Sequence, residues 1–246
     1  MFLGCDTTNC PGGEPNRKFL FAPEVVVTPD YNVILIGSGD REHPLSSHAA
    51  TISVDNAFFM IKDKPSDPAW WSLETANCQS QALACKASLL AIDPDSTIMP
   101  TDQELNGKKG WYLAFGTTID DNRVHDKEQV VTSAVAVLGT VTFSTHMPTP
   151  PQAGSCSNLG IARVYNLGYM DGRAAGSKRY VPISGGGLPP SPVAGMVTVQ
   201  DPVSGQDITL PFVIGASGVS SLEGSAPKPL VTPSRYKSRS YWYLQQ

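Results

Sequence analysis

The sequence predicts an all-β fold built from short strands in antiparallel hairpins. Runs of β-branched and aromatic residues recur along the chain, and Gly, Pro, Asn or Asp bounds these runs. The 246 residues include 22 glycines and 21 prolines, about one position in six against roughly one in eight in an average chain, so turns are numerous. The runs do not recur at one fixed period, which argues against a regular repeat array. The fold class is therefore a sandwich, a barrel or a propeller.

Three strands are predicted early in the chain. Residues 24–28 (EVVVT) and 32–37 (NVILIG) are separated by a Pro-Asp-Tyr turn and predict a hairpin. Residues 58–62 (FFMIK) follow as a third strand of the same sheet. Residues 63–110 differ in composition, with tandem tryptophans and a helix-forming stretch at residues 75–90. We interpret residues 63–110 as an insertion that carries one short helix.

The clearest β signal lies in the middle of the chain. Residues 129–138 (QVVTSAVAVL) predict a strand that turns at Gly139 into a second strand at residues 140–146 (TVTFSTH). We expect these two strands to pair antiparallel. Further strands are predicted at residues 111–116, 161–168, 196–200, 207–214 and 238–244, of which 196–200 and 207–214 form a hairpin.

Charge and hydropathy exclude several classes of protein. Charged residues make up 16% of the chain and hydrophobic residues 41%, which excludes a charge-rich disordered chain and a coiled coil. The net charge of −4 gives no general attraction to phosphate backbones or anionic membranes, so nucleic acid is not an expected partner. No stretch approaches the roughly 18 apolar residues that span a bilayer, so no transmembrane segment is predicted.

The five cysteines are too widely spaced for a zinc site of the Cys-x2-Cys type. Cys5 and Cys10 bracket a polar turn and are predicted to form a small disulfide loop. Cys78 and Cys85 lie in the helix-forming stretch, where a continuous helix would separate them by about 10 Å, beyond the roughly 7 Å limit for a disulfide. Either the segment breaks and they pair, or it is a helix and they do not; we favour the first. Disulfides indicate an oxidising compartment, so we expect an exported chain.

The sequence shows no catalytic or metal-binding constellation. The acidic clusters at residues 93–96 and 120–122 lack the ladder, the glycine and the final Glu of an EF-hand loop, so we interpret them as solvated turns. The four histidines form no zinc-hydrolase pattern. The Gly-Ala-Ser-Gly stretch at residues 215–218 displaces the last glycine of a nucleophile elbow and has no parallel α/β context. We therefore predict a protein that is not an enzyme and uses no cofactor.

Four stretches carry a resemblance to a known family. The first spans residues 21–64 with its IGSGDREHP and DNAFFMIKD motifs, and the second joins the KGWYL motif to residues 128–143. The third is residues 156–172 with its Asn-Leu and Asp-Gly turn, and the last is the terminal RSYWY. Their collinear order over most of residues 19–246 resembles the C-terminal domain of the PilY family, the type IV pilus biogenesis and tip-adhesin proteins that include neisserial PilC.

The resemblance implies the later blades of a modified β-propeller in residues 19–246, after a disordered or linker start at residues 1–18. It implies an exported protein at the outer membrane, pilus tip or cell surface, with its export signal upstream of this chain. The implied function is to promote surface pili, oppose retraction and mediate attachment. Pilin or minor pilins and a host or surface receptor are the implied partners. Some members bind calcium through an Asp-x-Asp-x-Asp-Gly run, which this sequence lacks, so no calcium site is carried over.

The segment after the second strand is a candidate binding or blade-contact surface. Asp40, Arg41 and Glu42 follow glycines that suggest a phosphate loop, but the third glycine and the βαβ unit are missing. The glycines are instead expected to let the backbone turn tightly. The three charged residues either hold adjacent blades through ion pairs or form a surface at the propeller mouth with His43, and we favour the structural role.

Tryptophans mark a second candidate surface. Trp70 and Trp71 are adjacent, and neighbouring side chains of an extended segment alternate, so both cannot point inward. One of them is an exposed contact residue or covers the insertion onto the sheet, and we favour the cover. Trp111 lies in an apolar strand and is predicted to be in the core.

Two other functions stay open on the sequence alone. A quinone-dependent propeller dehydrogenase shares the broad architecture, but it needs a calcium-and-quinone pocket with adjacent cysteines or a catalytic Asp. A generic extracellular sugar-binding module would bind glycans whether or not pili are built. The non-enzymatic pilus assembly and adhesion function is the main prediction.

Overall fold

The computed structural model describes residues 2–3, 17–41, 54–72, 78, 84–116, 125, 127–150, 159–200, 205–215 and 224–225. These residues form a nearly all-β fold with three larger sheets and one small parallel pair, so the all-β prediction is confirmed. The small pair joins β1 (Phe2–Leu3) to β5 (Ala84–Cys85). Phe2–Leu3 lies in the segment 1–18 predicted as a disordered or linker start, and these two residues are paired instead.

The first sheet contains a four-stranded antiparallel meander. Each strand pairs with the next in the order β2 (Glu24–Val27), β3 (Asn32–Gly37), β4 (Ala57–Asp63) and β7 (Gly110–Ala114). The three early strands and the predicted hairpin are confirmed. The segment between β4 and β7 adds one more strand, β6 (Leu90–Ile92), which pairs parallel to β7 and extends the sheet.

The second sheet is another antiparallel meander of similar width. It consists of β8 (Gln129–Val130), β9 (Val135–Val137), β10 (Thr140–Met147), β11 (Ile161–Gly168) and β12 (Tyr180–Ile183). β8 and β9 lie along the same edge of β10, and β11 and β12 follow on its other side. A four-stranded antiparallel meander is the unit of a propeller blade, so both sheets have blade topology.

The prediction of one continuous strand at residues 129–138 is wrong, because the strand breaks between β8 and β9. At the break, the hydroxyl of Thr132 accepts a hydrogen bond from the Ser144 amide at 2.8 Å, in place of a ladder carbonyl. The predicted antiparallel pairing with β10 is confirmed for both halves. The turn that follows has positive φ at Leu138 (47°) and Gly139 (87°), the combination that a tight two-residue hairpin turn requires.

The third sheet is three-stranded and antiparallel. It contains β13 (Val193–Gln200), β14 (Asp207–Ile214) and β15 (Gly224–Ser225), and the predicted hairpin is confirmed as the β13–β14 pair. Most of β13 is exposed. The final strand predicted at residues 238–244 lies outside the described residues.

The main core lies between the first two sheets. The rings of Phe58 on β4 and Phe143 on β10 stack with centroids 3.8 Å apart, and Phe143 stacks in turn on Tyr165 of β11 at 5.0 Å. Trp111 is fully buried and donates its indole N–H to the carbonyl of Tyr169 at 3.2 Å, which confirms its predicted core position. The buried members of this core are Val33, Leu35, Phe58, Met60, Ile92, Leu105, Trp111, Leu113, Phe115, Val130, Val141, Phe143, Tyr165 and Leu167.

The segment between β4 and β7 differs from the predicted insertion in its helices. It carries α1 (Ala69–Ser72), a 3-10 turn (Lys86–Ser88) and α2 (Asp102–Asn106). Cys78 has helical backbone, whereas Cys85 lies in strand β5, so the predicted helix at residues 75–90 is not continuous. The two cysteines form a disulfide with their Cα atoms 5.7 Å apart, as favoured from the sequence. The predicted Cys5–Cys10 pair lies outside the described residues.

Candidate functional site

The predicted blade-contact residues lie where the first sheet meets the second. The Asp40 amide donates to the side chain of Gln129 at 2.9 Å, and the Arg41 guanidinium donates to the carbonyl of Val131 at 3.0 Å. The Asp40 carboxylate also accepts from Lys18 Nζ at 2.5 Å. Through these bonds Asp40 and Arg41 tie the segment after β3 to β8 and to the residue that follows it. Glu42 and His43 lie outside the described residues.

The glycines beside Asp40 are required for close packing and not, as expected, for a tight turn. Neither Gly37 nor Gly39 has a positive φ, so a tight turn is not the reason for them. A Cβ on Gly37 would lie 2.4 Å from the Val130 side chain, and a Cβ on Gly39 would lie 2.1 Å from the Val130 carbonyl oxygen. The Val130 amide donates to the carbonyl of Ser38 at 3.0 Å. The two sheets therefore approach so closely here that only glycine fits.

Trp70 lies against the first sheet. Its indole N–H donates to the carbonyl of Lys62 at 3.0 Å, and the ammonium groups of Lys109 and Lys64 lie 3.5 Å and 4.1 Å from its ring centroid. These contacts fix the ring over strand β4 between two cations, which is the covering role. The side chain of Trp71 is not among the described groups.

A buried carboxylate that the sequence did not single out forms the centre of a charged network. Glu128 is fully buried. One of its oxygens accepts from Arg163 at 2.6 Å and contacts His125 Nδ1 at 2.5 Å. The other accepts from the hydroxyls of Tyr165, at 3.0 Å, and Thr145. Because a buried charge is costly unless it is paired, these contacts account for the presence of Glu128 inside the fold.

This network continues the aromatic core along one face of the second sheet. Thr145 and Arg163 are direct partners across β10 and β11, and Phe143 and Tyr165 are the partners two residues further along the same face. Between the two sheets, stacked aromatic rings are therefore followed by charged and polar side chains two residues further along each strand. Tyr165 belongs to both parts, since its ring stacks on Phe143 and its hydroxyl binds Glu128.

The phenols of the network are held in their neutral form. Burial, with the neighbouring Glu128 carboxylate, raises the pKa of Tyr165 well above its usual value. Burial and the hydrogen bond to Asp95 raise the pKa of Tyr180 from 10.0 to about 12. Both hydroxyls are therefore hydrogen-bond donors to carboxylates at neutral pH.

His125 connects the buried network to a surface loop. Its Nε2 lies 3.0 Å from the carboxylate of Asp95, and its ring meets the ring of Tyr180 edge to face at 5.0 Å. The Tyr180 hydroxyl donates to the same Asp95 carboxylate at 2.8 Å. Asp95 belongs to residues 93–100, the connection between β6 and α2, which we call the 93–100 loop. The buried network therefore fixes one point of this loop.

A second buried cation fixes the rest of the 93–100 loop. Arg179 is 4% exposed, and its guanidinium donates to the carbonyls of Asp93 at 3.3 Å, Ser96, and Ile98 at 3.5 Å. Its Nε also donates to the carbonyl of Gly172 at 2.7 Å. Burial lowers the pKa of Arg179 from its usual value. One guanidinium thus joins three carbonyls of the loop to the turn after β11.

Two clefts lie on either side of the 93–100 loop. The larger has a volume of about 550 Å³ and extends to β6 and α2, with Asp93, Asp95 and Glu104 among its lining residues. The smaller, of about 250 Å³, lies between the loop and residues 174–180. The loop is therefore a ridge between two depressions.

The ionisable groups at the centre of this region are engaged with other protein groups. Both oxygens of Glu128 and both ring nitrogens of His125 contact other protein groups. Among the described residues, no group of three or more His, Cys, Asp or Glu side chains has the arrangement of a metal site. The acidic residues at 93–96, interpreted as a solvated turn, do form a turn in which the Asp93 side chain accepts from the Asp95 amide at 2.9 Å.

The sequence carried only a weak signal for this network. Arg163 is a charged residue inside the predicted strand at residues 161–168, on the same face as Tyr165 and Leu167. A cation at a core-facing position requires a buried anion, but nothing in the local sequence names Glu128 as its partner. His125 is one of the four histidines that form no zinc-hydrolase pattern, and the sequence gives it no other role.

This chain has a structural similarity to a solved protein domain. No family model and no curated protein matches this chain. The chain is similar to the PilY1 C-terminal domain. In that crystal structure, of the Pseudomonas aeruginosa protein, the match has 16% sequence identity and a TM-score of 0.48. It covers 87% of this chain and 46% of the PilY1 chain, so this chain spans about half of that length. In the described part of the chain, no helix is long and apolar enough to cross a membrane.

Proposed function

We propose that this chain belongs to a non-enzymatic type IV pilus factor of the PilY kind. It would promote surface pili, oppose their retraction and mediate attachment. The observation that carries the proposal is the collinear order of the four motif stretches that resemble the PilY family. The two rival functions predict different observations. A quinone-dependent dehydrogenase would carry a bound chromophore, and a sugar-binding module would bind glycans in the absence of pili.

The positions of the motif residues support the proposal. The IGSGD motif contains Gly37 and Gly39, which touch Val130 across the two sheets. The KGWYL motif supplies Trp111, and the Val-Thr-Phe motif supplies Phe143, both fully buried in the shared core. The motifs thus mark the residues that join two blade-like meanders. The shared motifs therefore supply residues of the contact between the sheets. Such a match is less expected by chance than a match at a surface turn.

The disulfide supports an exported location. Disulfides persist in oxidising compartments and are rare in the cytosol, and Cys78 and Cys85 are bonded and buried. We place the protein at the outer membrane, the pilus tip or the cell surface. Its proposed partners are pilin or minor pilins and a receptor on a host cell or other surface.

The test is a gene deletion combined with removal of the retraction motor. The deletion should reduce surface pili and twitching, and pili should return when the retraction motor is also absent. Re-expression of the full-length gene should restore pili in the single mutant. The full-length gene with Asp171→Asn, a change in a partly exposed ion pair, should restore them equally. Unchanged piliation in the deletion strain would refute the proposal.

A further inference from the structure

The 93–100 loop combines a rigid base with exposed apolar side chains. Ile98 is 80% exposed and Met99 is 53% exposed. The loop that carries them is held by Arg179 through three carbonyls and by His125 and Tyr180 through Asp95. An apolar tip on a flexible loop needs no explanation, since isolated exposed apolar residues are common. Here the buried Arg179 guanidinium holds the loop, so Ile98 and Met99 can contact a partner without the loop first becoming ordered.

The end of the loop is fixed as well. Helix α2 begins at Asp102, with Thr101 as its N-cap. The Thr101 hydroxyl accepts from the Glu104 amide at 3.3 Å, while the Glu104 side chain accepts from the Thr101 amide at 2.8 Å. This reciprocal capping sets the direction in which the chain leaves the loop. Ile98 and Met99 are therefore held between fixed points on both sides. Little backbone conformational entropy remains to be lost when a partner binds them.

The chain segment that carries the tip is acidic. Residues 87–107 contain Asp93, Asp95, Asp102 and Glu104 and no Lys, Arg or His. Among the described residues that line the larger cleft beside the tip, three are acidic and none is basic. Lys178 and Arg179 line the smaller cleft. A partner that receives the tip and enters the larger cleft must therefore carry positive charge.

We propose that the 93–100 loop is a docking ridge for a second protein that has a concave apolar pocket with Lys or Arg on its rim. Ile98 and Met99 enter the pocket, and the basic rim lies in the larger cleft beside Asp93 and Glu104. The pocket supplies the apolar burial and the rim supplies orientation and encounter rate. This proposal goes beyond the pilus role and does not depend on it.

A photo-crosslinking amino acid at position 98 of the full-length protein in its native cells tests the proposal. The matched control places the same amino acid at Val27, which is 79% exposed and lies on edge strand β2. Position 98 should give one defined crosslinked protein, and Val27 should not give it. The crosslinked peptide should line an apolar pocket with Lys or Arg at its edge. No product at position 98, the same product at both positions, or a peptide in acidic surroundings would overturn the proposal.

The affinity of the purified partner for the full-length protein and its variants measures the contribution of each part of the ridge. Ile98→Asp should weaken binding about thirtyfold, the effect of losing a central apolar contact, whereas Val27→Asp should leave it unchanged. Asp93→Asn keeps the acceptor for the Asp95 amide and removes one charge, so it should slow association and reduce its salt dependence. The thermal midpoint of each variant verifies folding. Equal effects of Ile98→Asp and Val27→Asp in folded proteins would reject the ridge.

Discussion

At the scale of single residues, Tyr180 shows how one hydroxyl connects the surface to the interior. Its ring packs beside His125 and under the Arg163 guanidinium, which lies 5.1 Å from the ring centroid. Its hydroxyl donates to Asp95. Burial and the hydrogen bond that the neutral phenol donates both favour the protonated form, so the pKa of Tyr180 rises to about 12.

This raised pKa predicts a loss of stability in alkali. A group whose pKa is higher in the folded protein contributes its full stability below its unfolded pKa of 10.0 and loses it as the pH rises through about 12. The difference in free energy of unfolding between wild type and Tyr180→Phe should therefore be constant below about pH 9 and shrink from pH 10 upward. Urea titrations of both proteins at each pH measure this difference. A difference that stays constant up to pH 12 would contradict the assignment.

The pair of Glu128 and Arg163 is a second feature at this scale. Both side chains are buried, and their shared contact is 2.6 Å long. Glu128→Gln keeps the shape and removes the anion, which leaves Arg163 as a buried cation without that carboxylate charge. We expect a loss of about 3 kcal/mol in the free energy of unfolding, measured by denaturant titration.

The control for this variant is an ion pair on the surface. Asp171→Asn removes the partner of Arg173 in a contact of 3.0 Å between partly exposed side chains. Exposed pairs contribute about 0–1 kcal/mol, so this variant should lose less than 1 kcal/mol. If the two variants lost the same free energy of unfolding, the burial of Glu128 would not explain its contribution to stability.

At the scale of elements, the segment between β4 and β7 is held by three different devices. α1 carries Trp70 onto the first sheet, the disulfide closes the stretch between Cys78 and Cys85, and β6 joins the sheet through parallel pairing. The sequence indicated the first two of these. It did not indicate β6, because three residues are too short a run to stand out as a strand.

The disulfide provides the prediction at this scale. Replacing Cys78 and Cys85 together by Ser should lower the free energy of unfolding by about 2 kcal/mol, because the bond closes a short loop of sequence separation 7. Denaturant titration under oxidising conditions measures the change. The response of the double variant to reductant then reports on the predicted Cys5–Cys10 pair. Equal unfolding midpoints for wild type and the double variant, without reductant, would show that the bond contributes nothing.

At the scale of the whole molecule, the close approach of the two meanders is the defining contact. Gly37 and Gly39 allow it, and Asp40 and Arg41 extend it with hydrogen bonds to the second sheet. Gly39→Ala would place a Cβ 2.1 Å from a backbone carbonyl, which cannot move aside as a side chain can. The two sheets must then separate, and we expect a loss of about 2 kcal/mol in the free energy of unfolding.

A glycine in open space is the matched control for this variant. A Cβ on Gly176 would meet nothing within 4 Å, and its φ is not positive. Gly176→Ala should therefore change the free energy of unfolding by no more than about 0.5 kcal/mol. A Gly39→Ala protein as stable as Gly176→Ala would mean that the sheets are not in contact at Val130.

The all-β class, most strand positions, the turn at Gly139 and the pairing of neighbouring strands could be predicted from the amino-acid sequence. These features depend on residues close together in the chain, where alternation and turn residues are visible. The break after Val130 escaped prediction because the Thr132 side chain replaces a ladder group, which alternation does not reveal. β12 escaped because Pro182 interrupts its run, although an edge strand tolerates proline.

Only the tertiary structure decided which polar residues act together. Arg163 and Glu128 are 35 residues apart, Arg179 and Ile98 are 81 apart, and Arg41 and Val131 are 90 apart. No local pattern encodes such partners, because a buried charge specifies only that an opposite group must be near it in space. These long-range pairs form the contact surface between the sheets and fix the 93–100 loop. Both features arise only when the two meanders pack together.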